Sequence, residues 1–79
     1  MNDKRQLNTI ANEILNHWKK PYYGAIPYLN AMQNLHTIND MYMYDDGKSI
    51  VQYFLSNAST FKGEDAKRLK LELKSLLKG

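Results

Sequence analysis

His17 and His36 are the side chains best suited to move protons near neutral pH. They lie on different segments, the chain has no cysteine, and neither histidine completes a Ser-His-Asp arrangement by its spacing. No catalytic residue is assigned, and the protein is not expected to be an enzyme. His17 projects from the edge of the first helical segment. His36 falls on the apolar side of the second if that helix persists so far. A structural or solvated role is expected for both.

The acids invite a second question. His36 and Asp40 would share a helical face, but residues 37–39 read as a helix end. Asp40, Asp45, Asp46 and Gly47 resemble part of a calcium loop. Such a loop needs oxygen ligands at alternate positions before its glycine and a glutamate after it. Here Met41, Tyr42, Met43 and Tyr44 intervene, and Tyr53 stands where the glutamate belongs. No metal is expected; Asp45 or Asp46 instead suits the N-cap of the next helix. Gly24, Gly47, Gly63 and Gly79 are isolated at segment boundaries, so no glycine-rich phosphate loop exists. Neither a cofactor nor a small-molecule substrate is evident.

Binding chemistry is better represented. The rings of Trp18, Tyr22, Tyr23, Tyr28, Tyr42, Tyr44 and Tyr53 exceed what a small core encloses. Trp18 and Tyr28 are expected at the core rim, while Tyr22, Tyr23 and Tyr53 are candidates for a surface cluster. Near the C-terminus, Lys67, Lys70, Lys74 and Lys78 form one helical stripe. Leu71 falls between that stripe and the acids Glu64, Asp65 and Glu72, opposite the apolar side. Leu71 with Lys67, Lys70 and Lys74 is therefore expected to contact a protein partner or a second copy in a homodimer. Glu72 is expected on the exposed far side. Nucleic acid is the alternative partner, because the third and fourth segments have a helix–turn–helix outline with the basic helix second. Against it, Glu64 and Asp65 crowd the end that enters a groove, and only Arg68 suits base reading on this helix.

These side chains need scaffolding, and the apolar spacing predicts a compact all-α domain of four helices in orthogonal packing. The first runs from about Lys4 to Lys19, on Leu7, Ile10, Ala11, Ile14, Leu15 and Trp18. Asn2, or Asp3 with Gln6, would cap it, and Pro21 discourages continuation. The second spans about Ala25–His36, with Pro27 in its first turn. Residues 37–46 read as loop, pinned by Ile38, Met41 and Met43, since a lone strand has no partner. The third, Lys48–Ser59, carries the densest apolar run (Ile50, Val51, Phe54, Leu55, Ala58) and offers the others most surface to cover. Thr60 and Phe61 prepare the fourth, about Glu64–Leu77, built on Ala66, Leu69, Leu73, Leu76 and Leu77.

The 79 residues make one domain, with 43% hydrophobic content. No disulfide or thiolate site can brace it. No run is long enough to cross a membrane, and the first residues lack a signal-peptide core, so a cytoplasmic location is expected. The net charge of +3 sits mainly in residues 62–79, where six bases face three acids. Residues 18–32 (WKKPYYGAIPYLNAM), 53–58 (YFLSNA) and 63–73 (GEDAKRLKLEL) resemble short uncharacterised proteins of Gram-positive bacteria and their phages. That resemblance implies no activity, cofactor or site residue.

Overall fold

The first helix, α1, covers Leu7–His17 in the computed structural model, which describes residues 4–78. It starts later than its apolar spacing suggests. Gln6 holds the N-cap position without a side-chain cap bond; the Asn2 and Asp3 caps lie outside the described residues. The opening N–H groups are satisfied from elsewhere in the chain. Leu7 and Asn8 donate to the carbonyls of His36 and Leu35 at 2.9 and 3.0 Å. At the other end Trp18 leaves helical geometry and turns into the core.

A 3₁₀ turn, Tyr23–Ala25, leads into α2, Ile26–Met32, with Pro27 in the first turn as its missing N–H requires. This helix is shorter than the expected Ala25–His36. The Asn34 amide donates to the Asn30 carbonyl, and the chain closes in turn-type bonds from Asn34 and Leu35. Leu35 stays buried, but its carbonyl and that of His36 are committed to α1. His36 is thus exposed on a bend rather than set on an apolar helical face.

Residues 41–46 correct the loop expectation. Met41–Tyr42 (β1) and Asp45–Asp46 (β2) pair antiparallel, with Met41 opposite Asp46 and Tyr42 opposite Asp45. The missing strand partner lay within the same stretch. Met43 takes a left-handed φ of 58° at the turn, unusual for a residue with a Cβ. Ile38 and Tyr42 pack on the core, as expected for Ile38, but Met41 and Met43 face outward.

Helix α3, Gly47–Ser56, is capped by Asp46, whose carboxylate accepts the Ser49 N–H at 2.8 Å. It ends before the expected Ser59, where the Ser56 hydroxyl and Asn57 amide donate to the Gln52 and Tyr53 carbonyls. Helix α4 spans Glu64–Lys78. Thr60 lies too far back to cap it; the first helical bond runs from the Lys67 N–H to the Gly63 carbonyl.

These four helices of the described residues confirm the all-α class, with one small hairpin added. Helix α3 packs on α2 and α4, and so does α1, so the arrangement closes through α2 and α4 rather than radiating from α3. Phe54 is fully buried. It meets Trp18 edge-on at 6.3 Å, and Trp18 stacks on Phe61 at 5.0 Å. No helix among the described residues is long and apolar enough to cross a membrane.

Candidate interaction surfaces

The polar groups best placed for chemistry turn out to hold α1 against α4. Arg5 donates through Nε to Glu72 at 2.8 Å and through Nη1 to Glu13 at 2.7 Å, with a second bond to Glu72. Arg68 donates to Glu13 and, at 3.1 Å, to Asp65. His17 sits 3.4 Å from Asp65. Glu72 is thus half-buried and paired, not on a free outer face. No sequence rule couples two residues 67 positions apart, which is why this clamp was missed. Arg68, the candidate base reader, is engaged within it.

The hydrogen bonds from Arg68 and then Arg5 hold the Glu13 carboxyl at about 2, below the ordinary 4.5. A depressed folded-state value contributes stability above pH 4.5 that is lost as pH falls toward 2. Melting temperature should therefore drop across that window. Glu13→Gln should be less stable at neutral pH and show a flatter acid profile, read by circular dichroism. An unchanged profile would remove Glu13 from the clamp.

The loop acids have structural partners. Asp40 accepts the N–H groups of His36 and Thr37 at 2.9 and 3.2 Å, which lowers its pKa. Asp46 caps α3. Among the described residues no three metal-ligating side chains converge.

The aromatic candidates divide into two pairs. Tyr22 and Tyr23, both exposed, lie 4.8 Å apart. Tyr53, also exposed, packs at 5.6 Å against half-buried Tyr28 rather than against the first pair. Asn57 lies between them: its amide donates to the Tyr53 carbonyl, and its Oδ1 and the Tyr22 ring both flank Gly24. Beyond Tyr28, an open depression runs between α2 and the hairpin. Pro27, Tyr28, Ala31, Tyr42, Met43 and Ile50 contribute its apolar lining, and Asp45 its one charge.

Met43, which also lines the depression, and its neighbours Met41 and Tyr44 are exposed and were not among the expected site residues. Tyr44 is 98% exposed and Met43 79%. No alternation marks them, because Met41 belongs to a two-residue strand and Met43 and Tyr44 lie in the turn that follows it. Seven of the eight large apolar side chains left exposed among the described residues fall between Tyr22 and Tyr53. That region is also poor in charge: residues 21–39 have no Asp, Glu, Lys or Arg.

The eighth is Leu71 on α4, 56% exposed as its position on the helix predicts. Lys67 and Lys74 flank it in solvent. Lys70 is less available: its Nζ lies 5.8 Å above the Phe61 ring. Burial, followed by the like charges of Lys74 and Lys62, lowers its pKa. None of Lys62, Lys67, Lys70, Lys74 and Lys78 forms an ion pair among the described residues. In comparisons with family models, curated proteins and solved structures, the chain matches none.

Proposed function

We propose that this chain is a small non-enzymatic protein-interaction module of bacterial or phage origin. It binds through the face formed by the 3₁₀ turn, α2, the hairpin and α3. The carrying observation is the joint concentration of exposed tyrosine and methionine and depletion of charge in residues 21–53. Interface centres are enriched in tyrosine and methionine and poor in lysine and acids. A patch of this kind marks an interaction site more often than a bare surface.

The unpaired lysines of α4 favour a second reading, nucleic-acid binding. Two features weigh against it. Arg68 is held by Glu13 and Asp65, and residues 57–63 between α3 and α4 outrun the usual turn of about three or four residues.

Partner capture with the double variant Tyr23→Ser, Tyr44→Ser tests the reading. These exposed residues should leave folding intact, within ~1 kcal/mol. The expected result is loss of the captured protein, retention by the control Asn16→Ala on α1, and little change as salt rises. Undiminished capture by the double variant would overturn it. So would binding that collapses with salt, the signature of phosphate contacts.

A further inference from the structure

Two unpartnered features of this chain are complementary in chemistry. The depression between α2 and the hairpin is apolar except for Asp45. The Asp45 carboxylate has no hydrogen-bond or ion-pair partner among the described residues. The outer face of α4 offers the reverse: an exposed leucine, Leu71, with Lys67 and Lys74 one turn away on either side. The clamp between α1 and α4 consumes both arginines and leaves these lysines unpaired. Residues 41–61 carry a net −1 and residues 62–79 a net +3, so opposite charges reside on the two surfaces.

Resting on the interaction reading above, we propose that the occupant of the depression is α4 of a second copy of this chain. Leu71 enters against Tyr28 and Met43, and Lys67 or Lys74 meets Asp45. The two surfaces belong to different elements, so the contact is head to tail. Each bound pair leaves one depression and one α4 face open, and association continues beyond a dimer unless the rotation closes a ring.

Complementation between two variants of the full chain tests this geometry. Leu71→Glu spoils the α4 face and keeps the depression. Met43→Asn spoils the depression and keeps the α4 face, and asparagine tolerates the left-handed backbone found there. Circular dichroism checks that both fold; if Met43→Asn does not, Asp45→Lys replaces it. In sedimentation velocity at low salt, wild-type mass should rise with concentration. Each variant alone should self-associate at least ~10-fold more weakly. A one-to-one mixture should form a discrete dimer and nothing larger. The proposal is overturned by a wild-type monomer at every concentration, by a single variant that associates as wild type does, or by a mixture that fails to pair. A monomeric wild type that still captures a foreign protein through Tyr23 and Tyr44 removes this contact alone and leaves the interaction reading intact.

Discussion

Phe54→Ala should remove a large share of the protein's stability and lower its melting temperature steeply. The ring, on α3, is fully buried and lies edge-on to Trp18. Truncating a buried phenylalanine costs ~3–5 kcal/mol, because transfer energy is lost and a cavity remains. A domain of this size holds only about 4–12 kcal/mol in all. Each lost kcal/mol lowers the melting temperature by roughly 4–8 °C in so small a domain. Urea titration and thermal melting read the effect together. Phe54→Leu, which refills most of the space, should recover the greater part of the loss. A Phe54→Ala protein that melts within a few degrees of wild type would show that the aromatic stack is not the centre of the core.

Gly47→Ala is the sharper test, because two principles disagree on its sign. Gly47 is the first residue of α3, where helix propensity alone favours alanine over glycine by about 1 kcal/mol. Packing opposes this. A Cβ at Gly47 would lie 2.8 Å from the Thr37 carbonyl oxygen and 2.9 Å from the Ile38 Cα, both backbone atoms. They cannot swing aside, since Gly47 and Lys48 donate to the Asp40 and Ile38 carbonyls at 2.8 and 2.9 Å. Overpacking costs ~1–3 kcal/mol and should win. Denaturant melting should show a less stable protein, with the shift confined to the 37–48 contact in amide exchange. A gain in stability would mean the loop over α3 is looser than its hydrogen bonds imply.

Gly47 also shows where sequence reading stopped. It was recognisable as a boundary glycine, but its role is close approach, not a special φ. That depends on a backbone segment about ten positions away, and sequence carries no mark of it. The apolar spacing of α1, α3 and α4 was legible because each buries one stripe over several turns. Leu7, Ile10, Ile14, Phe54, Leu69 and Leu73 are all fully buried as expected. Helix ends were less legible. They were set by local competition, as at Asn34, and by distant carbonyls, as at Leu7 and Asn8. The hairpin was missed because two-residue strands are too short to show alternation. Among the site residues, the exposure of Tyr53, Lys67, Leu71 and Lys74 followed from helix phase, and that of Tyr22 and Tyr23 from an excess of rings over what the core encloses. Lys70 did not, because Phe61 returns from the preceding connection to lie beneath it.

The clamp between Arg5 and Glu72 has a consequence for how the chain is made. Synthesis proceeds from the N-terminus, so α1, α2 and α3 leave the ribosome before α4 exists. Until residue 72 emerges, Arg5 lacks its main partner and α1 lacks the cover of α4. The loop closed by this pair is nearly the whole chain, and its entropy is recovered only when the last helix docks. Local contacts between α1 and the end of α2 form early but remain unsupported. The fold is therefore completed only once α4 has emerged and docked. A ribosome stalled before residue 72 would hold a nascent chain open to proteases and chaperones.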